Sequence, residues 1–181
     1  RDPGQLVGPG LGPAGPDHLV VGVVQLGDQL GDAVIGVGHV GVGPHDDLAT
    51  RVVHFVDFVD FQGRPYDGYG HGTHVAGIIA GSGQHSDGAR RGIAPGAHLV
   101  VLKTLDRRGD GYISNAIAAL DYAIEQRAAY NIRVINLSVA AGVYESYKTD
   151  PLTLAAARAV DAGIVVVTAA GNLGRHSNGR T

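Results

Sequence analysis

Apolar residues in the second half of the chain recur at the spacing of a helix. Ile117, Leu120 and Ile124 do so, together with several alanines, within SNAIAALDYAIEQRAA. One side of a helix would collect these residues, which predicts an amphipathic helix with Ser114 or Asn115 as its N-cap.

The limits of a second helix are marked by its end signals. Asp150 is followed directly by Pro151, and aspartate at the N-cap with proline at the first helical position is a typical start. Gly163 should end this helix, because glycine is the usual residue just after a helix.

Short apolar runs before, between and after these helices predict strands. RVVHFVDFVDF (51–61) is interpreted as an extended, partly buried segment, and three shorter runs are apolar enough for buried strands. These are His98–Lys103, RVINLSV (133–139) and IVVVTAAGN (164–172). Strands that alternate with helices indicate an α/β fold with a parallel sheet covered on both faces. Ligands of such sheets bind beyond the carboxyl ends of the strands, so the candidate loops are 105–111, 138–142 and 169–174.

The first 40 residues follow neither periodicity and are rich in Gly, Val, Leu and Pro. Gly36, Gly38 and Gly41 have the G-x-G-x-x-G spacing of a dinucleotide site, but V-G-P follows them. That sequence is a poor start for the helix that must hold the pyrophosphate, so chance spacing in a glycine-rich segment is favoured. Two units are predicted, an unpatterned segment 1–40 and an ordered domain 41–181.

Composition narrows the function classes. Apolar residues make up 44% of the 181 positions and charged residues 17%, which is typical of a globular chain. A net charge of −3 gives no electrostatic reason to expect nucleic-acid binding, and no apolar run is long enough for a membrane span. Cysteine is absent, which excludes disulfides and thiol chemistry. Methionine is absent and no signal peptide is visible, which predicts a fragment or a processed piece.

The stretch YGHGTHVAGIIAG (69–81) holds the candidate chemistry. His71 and His74 are three residues apart on a predicted helix, whereas helical zinc motifs place two histidines four apart around a glutamate. Close packing of a helix rich in small residues accounts for the alanines and glycines, but not for the glycines on both sides of His71. A histidine held there could instead act as a general base, so a metal site, helix packing and a base all remain open.

Several motifs together resemble the subtilisin-like serine peptidases (peptidase S8). They are GHGTHVAGIIAG, GIAPGAHLVVLKTLD, GDGYIS, VINLSV and VVVTAAGN, and the resemblance runs from about Val42 to the end of the chain. It implies a three-layer fold with a mostly parallel sheet between helices, truncated at the C-terminus, and a serine endopeptidase as the parent activity. It further implies that His71 is the catalytic base and that the side-chain amide of Asn172 stabilises the developing oxyanion.

The resemblance also implies a polypeptide substrate that lies extended between two backbone segments. The first segment contains Gly109 and Gly111, and the second contains Ser138, Val139 and Ala140. Leu105 would lie near the second subsite, and Ala170 and Gly171 would wall the first. The family often has glycine where Ala140 stands. Alanine at this position favours a substrate whose side chain in the first pocket is small or slender.

Two departures from the family pattern concern the other members of a catalytic triad. The position of the aspartate is occupied by His39, and no G-T-S-M-A-like nucleophile motif occurs up to Thr181. We therefore expect the chain as given to be inactive alone. One hypothesis for the first departure is that residues 1–40 are read in a wrong frame or come from a mis-joined start.

The alternative to a serine endopeptidase is a non-catalytic pseudo-peptidase that binds peptides in the retained cleft. A metal-binding or nucleotide-binding domain is a more remote alternative. No cofactor is expected for catalysis, no calcium site is assigned, and no oligomeric state is indicated. An extracellular location is implied by the resemblance only.

Overall fold

A computed structural model describes four parts of the chain: Gln5–Leu6, Ala33–His39, 43–139 and 144–169. These parts form seven strands: β1 (Gln5–Leu6), β2 (Ala33–His39), β3 (Val52–Asp57), β4 (His98–Lys103), β5 (Gly111–Tyr112), β6 (Ile132–Leu137) and β7 (Val165–Thr168). Three α-helices accompany them: α1 (His71–Ala80), α2 (Ile113–Glu125) and α3 (Pro151–Asp161). Two short 3₁₀ helices cover Asp46–Leu48 and Gln84–Ser86.

Five of the strands form one parallel sheet in the order β3-β4-β2-β6-β7. Strand β2 lies at its centre, where Ile35 pairs with Val100 of β4 on one side and with Ile135 of β6 on the other. The predicted α/β fold with a parallel sheet is therefore confirmed. Gly36 and Gly38 lie inside β2 and not in a loop before a helix, so they do not form a dinucleotide loop. The predicted boundary near residue 40 stays a prediction.

Helices cover both faces of the sheet, which gives the predicted three layers. On one face, Leu102 and Ile135 pack with Leu120 of α2 and Ala155 of α3 in a fully buried cluster. On the opposite face, Val101 and Val134 pack with residues of α1, among them Val75 and Ile79. Neighbouring strand residues point to opposite faces, so a strand buried on both sides must be apolar throughout. That requirement explains the uninterrupted apolar runs in the sequence.

The helix ends confirm one capping prediction and correct another. Asp150 caps α3, since its carboxylate accepts a hydrogen bond from the Thr153 backbone N–H at 2.7 Å, and Gly163 follows the helix at a φ of 82°. Helix α2, however, begins at Ile113, and its N-cap is Tyr112 without a side-chain hydrogen bond. The prediction of Ser114 or Asn115 as N-cap was wrong because β5 leads straight into the helix, which a local pattern does not reveal.

Within the described ranges, no helix is both long and apolar enough to cross a membrane.

Candidate active site

Helix α1 places His71 at its first position. Gly70 just before it has a φ of 92°, a left-handed conformation that glycine adopts without strain. Val75 and Ile79 bury one side of the helix against the sheet, while His71 is half-buried. Helix α1 follows the carboxyl end of β3. His71 therefore lies at the carboxyl-terminal end of the parallel sheet, where such sheets bind ligands.

The second histidine of the motif, His74, is exposed. Among the side chains that the structure describes, no three His, Asp or Glu residues converge closely enough to hold a metal ion. Helix packing accounts for the small residues of α1, since Ala76 and Ala80 are buried against the sheet.

The carboxylate of Asp67 organises the start of α1. Its Oδ1 accepts hydrogen bonds from the backbone N–H groups of Tyr69 at 2.9 Å and Gly70 at 2.6 Å. Its Oδ2 accepts from the backbone N–H of Thr73 at 2.9 Å and from the Thr73 hydroxyl at 2.6 Å. Burial would raise the pKa of Asp67, but these hydrogen bonds to the charged form outweigh burial and lower the pKa.

A buried ion pair joins the carboxyl ends of β3 and β4. Lys103 and Asp57 are both fully buried at their side chains, with Nζ and Oδ1 3.3 Å apart, and Nζ lies equally far from Asp60. The Tyr66 hydroxyl lies 2.8 Å from Oδ2 of Asp57 and 2.7 Å from Oδ2 of Asp60, and Lys103 Nζ lies 4.8 Å from the Tyr66 ring centroid. Such a network fixes the strand ends from which the next loops depart.

The loop 105–111 follows β4 directly and is tightly built. Leu105 is fully buried, and Asp106 accepts hydrogen bonds from the backbone N–H groups of Arg108 and Asp110 at 2.8 and 3.0 Å. Gly109 adopts a left-handed φ of 81°. The turn therefore presents Gly111 in an extended conformation at the start of β5.

Strand β5 pairs antiparallel with β1, with Leu6 opposite Gly111 and Gln5 opposite Tyr112. This edge thus accepts an extended segment by backbone pairing. The same loop lies against the segment before His71, because a Cβ added at Gly68 would lie 3.1 Å from the Cβ of Arg107. The histidine segment and the strand-pairing loop are therefore neighbours.

The second predicted substrate segment begins at the carboxyl end of β6. Ser138 and Val139 are buried, and the Ser138 hydroxyl accepts a hydrogen bond from the Asn136 side-chain amide at 2.7 Å. The backbone N–H of Ala169 donates to the carbonyl of Leu137 at 3.3 Å, so the segments after β6 and β7 start side by side.

Asn172, Ala140, Ala170 and Gly171 lie outside the described residues, and their roles stay predictions. His39 ends the central strand β2 and is paired with Lys103 of β4, after a shift in register between Val37 and His39.

The sequence interpretation missed the polar residues that hold these loops: Asp57, Asp67, Thr73, Lys103 and Asp106. Asp67 had a local signal, because an aspartate shortly before a predicted helix start is a capping candidate. The buried pair had none, since Asp57 and Lys103 are 46 residues apart.

Gly111→Ala should destabilise the protein by about 1–3 kcal/mol, because the site is overpacked by one methyl group. The added Cβ would meet the backbone carbonyl oxygen of Thr104 and lie 2.8 Å from Cδ2 of Leu105. Urea unfolding measures this loss. Gly96→Ala is the control, since its Cβ would meet nothing within 4 Å. Equal stability of the two variants would contradict the packing at Gly111.

The fold and site define a class of α/β protein. In it, His71 at the start of a helix and the loop 105–111, which leads into a paired strand, both lie at the carboxyl-terminal end of a parallel sheet. Residues 32–181 match the subtilase family (peptidase S8). The chain therefore belongs to the subtilase family, and the resemblance found in the sequence is confirmed.

Individual relatives agree with this assignment. Serine protease AprX of Bacillus subtilis (strain 168) is 39% identical over 162 residues, which cover 86% of this chain and 37% of that protein. Minor extracellular protease Epr of the same organism is 32% identical over 134 residues, 74% of this chain and 19% of Epr. The solved structure of the S41 psychrophilic protease superposes with a TM-score of 0.68 at 34% identity, covering 81% of this chain and 47% of that chain. The chain thus spans less than half the length of these relatives.

Proposed function

We propose that this chain contributes the histidine and the peptide-pairing edge of a serine endopeptidase. The observation that carries the proposal is that Gly68, three residues before His71, lies against the loop 105–111, which leads into a strand that pairs with an extended segment. Relatives named as serine proteases support the same activity.

In this proposal a polypeptide substrate takes the place of Gln5–Leu6 and pairs with the backbone of 109–111, as an added strand does in other peptide-binding proteins. The fully buried Leu105 supports the loop near the second subsite from behind, and Ser138 to Ala140 form the opposite side. His71 accepts the proton of a serine hydroxyl as that oxygen attacks the peptide carbonyl, and then gives the proton to the leaving amine. Asn172 donates its amide to the oxyanion, a contact of about 2.7–4 kcal/mol in a subtilisin. An extracellular location is part of the proposal, supported by the name of the relative Epr.

A second candidate, a peptide-binding pseudo-peptidase, is favoured by one observation. His39 stands at the carboxyl end of β2, where the resemblance places the acid of the triad. A histidine cannot serve as the anion that orients and stabilises a catalytic imidazolium.

The test is cleavage of an internally quenched peptide by the protein expressed from its natural gene, after position 39 has been checked in the coding DNA. A fluorophosphonate probe, which labels activated serines, is applied in parallel. Cleavage together with serine labelling is the expected result. Peptide binding without cleavage or labelling would establish the pseudo-peptidase, and absence of both binding and cleavage would refute both candidates.

A further inference from the structure

A polar bridge connects the start of α1 to Gly43, which stands four residues after the central strand β2 in the sequence. We propose that Asp67 and Thr73 are positioning residues that hold His71 in place relative to the chain at Gly43. The catalytic part of this inference rests on the proposed function, whereas the structural part does not.

The start of α1 needs support from outside the helix. Its N-cap is Gly70, which has no side chain to bind the free N–H groups of the first turn. Asp67, four residues before His71, replaces the missing cap by accepting from the Thr73 backbone N–H. The same carboxylate also holds the backbone of Tyr69 and Gly70, so both sides of His71 are fixed by one group.

The Thr73 hydroxyl extends this arrangement across the fold. It accepts a hydrogen bond from the Gly43 backbone N–H at 2.9 Å and donates its only proton to Asp67 at 2.6 Å. Because the carboxylate can only accept and the amide can only donate, the direction of both bonds is determined. Gly43 is 30 residues away from Thr73 and stands four residues after His39, the end of β2.

The bridge does more than a cap requires. Asp150, which caps α3, accepts a hydrogen bond from the Thr153 backbone N–H three residues later. Asp67 likewise accepts from a backbone N–H of the first turn, but the Thr73 hydroxyl that donates to Asp67 adds a link to Gly43, which does not serve the helix itself. This link joins the helix that carries the base to a residue four positions beyond β2, the strand at whose end the acid of a triad belongs. A displacement of about 1 Å in such a group can lower a rate about 10²-fold.

The first test is nuclear magnetic resonance of the 181-residue chain and requires no activity. Thr73→Val keeps the shape of the side chain but removes the hydroxyl, and Thr73→Ser restores it. In Thr73→Val we expect Gly43 N–H exchange about tenfold faster, because its acceptor is lost. The His71 ring resonances should also shift or broaden. Thr73→Ser should return both signals to the wild-type values.

Asp150→Ala is the matched control, because it removes the side chain that caps a helix far from His71 along the chain. It should lower the melting temperature without changing the Gly43 or His71 signals. Unchanged His71 resonances in Thr73→Val, or equal changes in Asp150→Ala, would overturn the positioning role.

The second test is kinetic and uses the protein expressed from its natural gene. Thr73→Val and Asp67→Asn should lower kcat about 10²-fold with little change in KM, since they displace the base and leave the substrate loop intact. Thr73→Ser should recover most of the loss, and Asp150→Ala should retain wild-type kcat. If the wild type cleaves no peptide, the proposed function fails, while the resonance experiment still decides whether the bridge positions His71.

Discussion

Replacing His71 by alanine should lower kcat about 10⁶-fold, a magnitude known for the catalytic histidine of a subtilisin, a relative of this chain. The reason is that a serine hydroxyl is a weak nucleophile until a base removes its proton. KM should stay close to the wild-type value, because the pairing edge at 109–111 is untouched. Cleavage of a quenched peptide by the natural gene product, followed at saturating substrate, measures the effect.

His74→Ala provides the matched control for this substitution. His74 lies on the same helix, is exposed, and has no assigned role in the proposal. Its kcat should remain within about threefold of the wild type, as expected for a surface change. A His71→Ala variant that keeps its activity, or a His74→Ala variant that loses as much, would remove His71 from the mechanism.

Asp57→Ala should lower the free energy of unfolding by about 3–5 kcal/mol, the usual cost of breaking a buried ion pair. The substitution leaves the fully buried Lys103 ammonium with Asp60 alone, whose side chain is half exposed. It also removes the acceptor for the Val59 and Asp60 backbone N–H groups. Urea unfolding of purified variants measures the difference.

The control for Asp57→Ala is Asp121→Ala, which breaks an ion pair of similar type at the surface. Asp121 Oδ1 lies 2.6 Å from Arg158 Nη2, but both side chains are about half exposed. Such pairs contribute about 0–1 kcal/mol because water screens them and ordering two long side chains is costly. Equal losses of stability in the two variants would show that the buried pair Asp57–Lys103 contributes no more to stability than the surface pair Asp121–Arg158.

The lowered pKa of Asp57 also predicts how the stability of the protein depends on pH. Burial opposes ionisation, but hydrogen bonds from Val59, Asp60 and Tyr66 and the charge of Lys103 lower its pKa below the ordinary value of 3.8. A pKa lower in the folded state means that the stabilisation is complete above about pH 4 and is lost as pH falls through the folded value. Asp57→Asn should therefore show a shallower loss of stability below about pH 4 than the wild type. Parallel curves for the two proteins would contradict this assignment.

Sequence alone predicted most of the secondary structure, because its signals are local. The apolar runs of β4 and β6 indicated buried strands, and both are buried on two faces of the sheet. The Asp150-Pro151 pair marked the start of α3 correctly. The start of α2 was placed too late, because β5 ends where the helix begins and pairs with the distant β1.

The sequence by itself determined the family, the parallel α/β fold and the candidate base His71, because short motifs and apolar periodicity encode them within a few residues. Only the tertiary structure decided what holds these parts together. The Lys103–Asp57 pair and the Thr73–Gly43 hydrogen bond join residues 46 and 30 positions apart. Hydrogen bonds and ion pairs act over a few ångströms in space whatever the separation along the chain, so no local pattern marks their partners.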